Sequence, residues 1–174
     1  MFRLTTDRLL LRELTTEDAP FILRLLNEPS FLYFIGDKGV RDLDGARQYI
    51  VNGPVASYQQ NGFGLYLVTR KTDGASLGIC GLLKRESLPD VDIGFAFLPE
   101  FWNKGYALES AFAVMNYGKD VLKLIRIVAI TNKDNDPSAR LLEKLGLRFE
   151  RLIKLPNEQN ETRLFVPEAN HHET

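Results

Sequence analysis

The stretch from Asp92 to Tyr117, D-I-G-F-A-F-L-P-E-F-W-N-K-G-Y-A-L-E-S-A-F-A-V-M-N-Y, constrains the fold more than any other part of the chain. Its first part, Ile93 to Leu98, is a short apolar run ended by Pro99, which predicts a strand. From Ala107 onward, Leu108, Ala111, Phe112 and Met115 recur at i, i+3, i+4 and i+7, one face of a helix, with Gly118 as its expected stop. Between the two lies Trp102-Asn103-Lys104-Gly105-Tyr106-Ala107. A strand, a glycine turn and a helix start in succession can form an anion site. The first-turn N–H groups have no intrahelical partner, and the helix dipole favours negative charge there. Gly105 permits a tight turn and the close approach of a ligand, and Lys104 adds a positive charge. The stretch reads either as a phosphate or pyrophosphate cradle or as an ordinary strand-to-helix connection. It is not a Walker loop, which needs Gly-Lys followed by Ser or Thr, and its glycine spacing is not that of the dinucleotide fingerprint.

The flanking segments supply the rest of a sheet. Leu9 to Leu14 predicts a first strand. Thr15-Thr16-Glu17-Asp18 starts a helix that buries Phe21, Ile22, Leu25 and Leu26, with Pro20 near its first turn and Asn27-Glu28-Pro29 at its end. Phe31, Tyr33 and Phe34, next to Gly36-Asp37-Lys38-Gly39, either line a pocket or cover the core. A second helix is expected from Asp44 to Gln59, turning Ala46, Tyr49, Ile50, Val55 and Tyr58 inward and kinked at Gly53-Pro54. Three strands follow, Gly64 to Arg70, Ser76 to Lys84 and Val91 to Leu98, the first two joined by the turn Thr72-Asp73-Gly74. Lys123 to Ile130 is nearly all apolar and reads as a central strand parallel to the one before the helix. Asp136-Pro137 starts a helix, with Asp136 as cap, whose apolar face is Leu141, Leu142 and Leu145 and whose stop is Gly146. Leu147 to Leu155 and Thr162 to Val166 complete the strands, and the tail from Glu168 is polar.

Composition removes several classes of function. The chain has 174 residues, with 22 basic side chains against 23 acidic ones, so it lacks the basic excess of a nucleic-acid binder. No apolar run is long enough for a membrane span, and Asp7 and Arg8 interrupt any signal-peptide core. Cys80 is the only cysteine, which fits a reducing cytoplasm. It falls in mid-strand, and the two histidines, His171 and His172, are in the tail. Cys80 therefore reads as packing and not as a nucleophile.

Two segments carry a family resemblance: Pro99-Glu100-Phe101-Trp102-Asn103-Lys104-Gly105-Tyr106-Ala107-Leu108-Glu109, and Asn132-Lys133-Asp134-Asn135-Asp136-Pro137-Ser138, closing with Leu142-Glu143-Lys144-Leu145-Gly146-Leu147. Together they resemble the GNAT superfamily of acyl-CoA-dependent N-acyltransferases. The opening Thr6-Asp7-Arg8-Leu9-Leu10-Leu11-Arg12 is similar to its ribosomal-protein N-terminal acetyltransferase branch, the RimJ/RimL-like proteins. The resemblance implies an α+β fold, one N-acetyltransferase domain over 1–174 with a core of about 6–167. Its central mixed sheet would be mostly antiparallel, with a splayed parallel strand pair and helices on both faces. It implies acetyl-CoA as cosubstrate, with the pyrophosphate on the backbone N–H groups of Asn103, Lys104, Gly105, Tyr106 and Ala107. The pantetheine would lie along the backbone of Phe97 and Leu98. Asn135 and Ser138 would contact the pantetheine arm or the thioester.

The resemblance also implies direct acetyl transfer to an amine, either a protein N-terminus or a small molecule such as a polyamine, amino acid or antibiotic, by a monomer or homodimer. A CoA-binding module without catalysis is the other reading. Asp92 is the candidate base, acting through a water, or else a carboxylate at a strand edge. Glu109 is a second candidate base, or else a first-turn acid stabilised by the helix dipole. Three positions depart from the family pattern. Trp102 stands where the family has Gln or Arg, Leu147 where it has Phe, and Leu142 where many members carry a tyrosine that protonates the leaving thiolate. Ser138 or water would take that part, or none is needed, since a thiol of pKa near ~8.5 can leave unprotonated.

Overall fold

A computed structural model describes residues 1–169. All but the first two residues of the polar tail lie outside them. The elements in order are strands β1 (Arg3–Thr5) and β2 (Leu9–Glu13), then helices α1 (Ala19–Leu26), α2 (Pro29–Phe34), α3 (Leu43–Ile50) and α4 (Ala56–Asn61). Strands β3 (Leu65–Arg70), β4 (Ser76–Leu83) and β5 (Val91–Phe97) follow. The chain then runs through helix α5 (Tyr106–Asp120), strand β6 (Ile127–Asn132), helix α6 (Asp136–Lys144), and strands β7 (Leu147–Ile153) and β8 (Thr162–Pro167). The strands form one sheet in the order β1-β2-β3-β4-β5-β6-β8-β7. Every neighbouring pair is antiparallel except β5 and β6. The expected α+β architecture, a mostly antiparallel mixed sheet with one parallel pair, is the one observed.

The parallel pair is short. Val91 lies beside Ile127 and Asp92 beside Val128, and no further residues of β5 and β6 are in register. Beyond them the strands diverge, and the sheet splits. One face of β5 carries Val91, Ile93 and Phe97 into a core with Ala111, Val114 and Met115 of α5, and with Leu142, Leu147 and Phe165 from beyond the split. The other face carries Ala96, with Leu98 just beyond the strand, into a second core against Ile22, Leu25, Ala46 and Ile50 of α1 and α3. Apolar packing bridges the two halves of the sheet on the α5 side. On the other side the split opens into a cavity.

Several boundaries differ from the sequence reading. The edge strand β1 was not expected; at three residues with a partly exposed pattern it leaves no periodic signal. The kink at Gly53-Pro54 is a π-helical turn, Val51–Val55, between α3 and α4; proline removes a donor there, and the wider turn accommodates its ring. Gly118 does not stop α5. It lies inside the helix, where an added Cβ would meet Ile127 Cδ1 at 2.7 Å, so its role is close approach to β6. The buried stripe of α5 is Tyr106, Ser110, Ala111, Val114, Met115 and Gly118, and Phe112 is 49% exposed. Strand β6 begins at Ile127, four residues later than expected, because Lys123 takes left-handed backbone (φ 56°). The cap of α6 is Asn135, not Asp136: its side chain accepts from Ser138 N.

Candidate active site

The turn between β5 and α5 presents a row of free N–H groups. Asn103 (φ 59°) and Gly105 (φ 80°) take left-handed backbone, and Lys104 between them does not. Alternation of that kind turns successive N–H groups into one concavity. Asparagine and glycine are the residues that tolerate it. The backbone N–H groups of residues 103 to 108 donate to no acceptor among the described residues, and the first helical bond beyond them runs from Glu109 N to Gly105 O at 3.0 Å. Six orphan donors in a row, with the exposed Lys104 beside them, fit a pyrophosphate.

A side-chain cluster fixes this turn from outside. Glu109 Oε1 accepts from Thr6 Oγ1 at 2.6 Å and from Arg8 N at 2.9 Å, and its Oε2 accepts from Arg8 Nε at 2.7 Å. Arg8 Nη1 donates to Lys104 O at 3.0 Å, and the guanidinium lies 4.4 Å from the centre of the Tyr106 ring. Burial works against the charge on Glu109, but the bonds from Thr6 and Arg8 outweigh it and hold its carboxyl below the usual range. Both oxygens of Glu109 are thus engaged, by three hydrogen bonds in all. The cluster ties the loop before β2 to the anion turn. The sequence gives Arg8 no part in the site, because its contact lies 101 residues away and carries no local signal.

The split exposes the edge of β5. Leu98 N donates to Leu77 O at 3.0 Å, and Ala96 lies opposite Ile79 and Gly94 opposite Gly81. In an antiparallel ladder the bonded pairs alternate, so Gly94, Ala96 and Leu98 bond to β4, while Phe95 and Phe97 turn their backbone groups toward the split. The Phe97 carbonyl is already taken by the indole N–H of Trp102, at 2.9 Å. The groups left for an extended ligand are therefore the N–H and C=O of Phe95 and the N–H of Phe97. This corrects the expectation for Leu98, whose N–H is engaged, and adds Phe95. It also gives Trp102 a structural part in place of the family's Gln or Arg.

On the α1–α3 side the split widens into a cavity of about 620 Å³. Asp92, Gly94, Asn135, Ser138 and Leu142 all line it, as do Phe31, Tyr33, Phe34 and Tyr49. Of the two readings of the aromatic segment, Tyr33 and Phe34 line the pocket, and Phe31 does both, being buried in the α1–α3 core as well. Asp92 is buried, and Arg85 Nε donates to its Oδ1 at 3.0 Å and Oδ2 at 3.2 Å. Burial pushes the Asp92 carboxyl up, and Arg85 draws it back only in part. Asn135 Oδ1 accepts from Ser138 N at 3.2 Å, and neither its amide nitrogen nor the Ser138 hydroxyl makes a bond to a described residue. Leu142 is buried and offers no proton where the family often has tyrosine. Cys80 is buried in the α5-side core, with its thiol pushed up to about 12 by burial, which agrees with packing. Arg85 was missed in the sequence, although the β4–β5 hairpin register, Leu83 opposite Asp92, brings it there.

Residues 8–148 match the acetyltransferase (GNAT) domain family. The uncharacterized N-acetyltransferase p20 of Bacillus licheniformis is 30% identical over 158 residues, 88% of this chain and 86% of its own. The uncharacterized N-acetyltransferase YoaA of Bacillus subtilis (strain 168) is 29% identical over 161 residues, 91% of this chain and 90% of its own. Among solved structures, an acetyltransferase from Agrobacterium tumefaciens superposes with a TM-score of 0.82 at 22% identity, covering 97% of this chain and 95% of that one. RimL, a ribosomal alpha-N-protein acetyltransferase in complex with coenzyme A, superposes with a TM-score of 0.81 at 16% identity, covering 95% and 97%. Those superpositions bear on the fold; the family match spans the turn between β5 and α5, the two strands that part at the split, and α6. The chain belongs to the GNAT family of acetyltransferases.

Proposed function

We propose that this acyltransferase passes acetyl from acetyl-CoA directly to a primary amine, with the α-amine of a protein N-terminus as acceptor. The observation that carries the cosubstrate is the run of orphan N–H groups at 103–108 beside the open edge of β5. The N-terminal acceptor is supported by the likeness in fold to RimL, named for an alpha-N-protein substrate. A small amine is the second reading, favoured by a cavity walled by α2 and by residues 158–161 between β7 and β8. No helix among the described residues is long and apolar enough to cross a membrane.

Acetyl-CoA supplies the acyl group as a thioester, which an amine attacks only when neutral. Asp92 takes the proton, directly or through a water. Its raised pKa brings it nearer the operating pH, where a base works best. The N–H groups of Phe95 and Phe97 face the split and are the donors available to a developing oxyanion. Ser138 and the Asn135 amide line the same space from α6. Ser138 is the hydroxyl at hand for the departing thiolate, which can also leave unassisted because a thiol ionises near ~8.5. No covalent intermediate on the protein is needed.

The test combines thiol release from acetyl-CoA, over a panel of N-terminal peptides and small amines, with thermal stabilisation by coenzyme A. Wild type should be stabilised and should turn over at least one amine. Gly105→Glu puts a bulky anion on left-handed backbone inside the cradle, and should lose the stabilisation while keeping the fold. Undiminished stabilisation of that variant would overturn the placement of the pyrophosphate.

A further inference from the structure

Arg85 stands on the wall of the acceptor cavity with only part of its hydrogen-bonding capacity used. Its Nε is held by both oxygens of Asp92, at 3.0 and 3.2 Å, while Nη1 and Nη2 make no hydrogen bond to a described residue. The side chain is 37% exposed and lines the cavity. Two more donors line the same cavity without a partner among the described residues: the Lys38 ammonium, from the loop after α2, and the Tyr49 hydroxyl, from α3. Both sense Arg85. Crowding by protein and the charge of Arg85 hold Lys38 below its ordinary pKa. Burial raises Tyr49, and Arg85 partly offsets that. The acidic groups nearby do not fill these donors. Asp92 is bound at Nε, Asp37 is bound to Arg41, and Glu158 acts on Lys38 without forming an ion pair with it. Glu161 also lines the cavity, and it makes no bond to Arg85, Lys38 or Tyr49. The free end of Arg85 is a planar fork of N–H groups, which matches a carboxylate with two parallel bonds.

We propose that this wall is a carboxylate subsite: the amine acetylated by this protein also bears a carboxylate, gripped by the terminal nitrogens of Arg85 with Lys38 and Tyr49 beside it. The proposal rests on the cavity being the acceptor site. Asp92 then stands between the two functions of one substrate. Its oxygens hold Arg85 in place, and the same carboxylate takes the proton from the amine. Two sources present an amine and a carboxylate this close together: a free α-amino acid, and an N-terminal peptide whose second residue is acidic.

The experiment compares matched substrates that differ only in charge at one group. One arm sets the common α-amino acids against their amides. The other sets alanyl-aspartyl-phenylalaninamide against its asparaginyl counterpart. Wild type should favour the carboxylate in kcat/KM by roughly 10-fold or more in one arm, the usual worth of a charge-assisted pair, and the arm that responds identifies the source. Arg85→Gln should erase the ratio, whatever it does to turnover of both members, while stabilisation by coenzyme A persists. Lys38→Met and Tyr49→Phe leave the Arg85–Asp92 pair intact and should reduce the ratio several-fold, so the inference does not depend on Arg85→Gln folding well. Equal or inverted preference in both arms would overturn the subsite, as would turnover of other amines with none in either arm. If no amine at all is acetylated, the reading of the protein as an acetyltransferase falls with it.

Discussion

The two carboxylates that the sequence offers as bases, Asp92 first and Glu109 second, are separated by their surroundings. Glu109 has both oxygens engaged by Thr6 and Arg8 and does not line the cavity. Asp92 is buried on the cavity wall, with its carboxyl raised. Glu109→Gln should therefore loosen the Arg8 brace on the anion turn, raising KM for acetyl-CoA several-fold with kcat little changed. Asp92→Asn should do the opposite. Affinity for acetyl-CoA should hold, because the cofactor's partners are backbone groups elsewhere. Turnover at pH 7 should fall by roughly 100-fold, the usual worth of a positioned base. In wild type the rate should fall as pH drops through the raised Asp92 pKa, at a pH above the ordinary ~3.9 of a carboxyl. In the variant that limb should vanish, and the rate should recover partly toward pH 8, where an α-amine loses its proton unaided. The fold should survive. A raised folded-state pKa means that the protonated acid favours folding, a contribution present at low pH and lost as pH rises through that pKa. At pH 7 the ionised carboxylate is not a source of stability, so Asn in its place should melt close to wild type. Kinetics that reverse these assignments, with Glu109→Gln losing kcat and Asp92→Asn unchanged, would make Glu109 the base.

At the scale of elements, what was legible followed from local rules and what was missed did not. Strands β2 to β5, helices α1 and α5, and the kink between α3 and α4 all announce themselves by period, proline or glycine, and the structure has them within a few residues. The strand, glycine turn and helix start at 93–107 were legible from their order, while a cradle and an ordinary connection share that order and differ only in the backbone angles at Asn103 and Gly105. The cap of α6 was off by one, since Asn135 and Asp136 are both good caps and only the chain path decides between them. Helix α2 escaped because three aromatics in a six-residue helix show no polar face. Which β5 groups face the split depends on register with β4, a long-range property absent from β5 itself. The β3–β4 pair gives an element-scale prediction. A Cβ at Gly81 would lie 2.0 Å from Gly64 O and 2.8 Å from Leu65 Cα, backbone that cannot yield without parting the strands. Gly81→Ala should therefore cost about 3 kcal/mol or more, beyond ordinary overpacking. Gly74→Ala is the control: its φ is +70° but the space is open, and its cost should stay near ~1 kcal/mol from backbone strain alone. Chemical denaturation of the two variants decides this; equal losses would show that contact with β3 is not what fixes glycine at position 81.

At the scale of the whole molecule, the sheet is two half-sheets joined by two residue pairs. Strands β1 to β5 form one half and β6 to β8 the other, with only Val91–Ile127 and Asp92–Val128 in register between them. On the α5 side a common core crosses the join; on the other the edge of β5 is bare. A ligand that hydrogen-bonds to this edge and seats its phosphates at α5 acts as a missing strand, and its binding free energy adds to the stability of the join. At one hundred times Kd this is worth about 2.7 kcal/mol. The alternation along β5 makes the outcome specific to single amides. With saturating coenzyme A, hydrogen exchange measured by NMR should slow at the N–H groups of Phe95 and Phe97, which face the split, and at residues 103 to 108, which have no acceptor among the described residues. It should change little at Ala96 and Leu98, which lie between and beyond those positions but already bond to β4. Uniform slowing along β5 would mean that the ligand tightens the fold generally without adding to its edge. Protection at 103 to 108 alone would mean that the phosphates are held at the anion turn while the rest of the molecule lies outside the split, where its thioester could not reach Asp92.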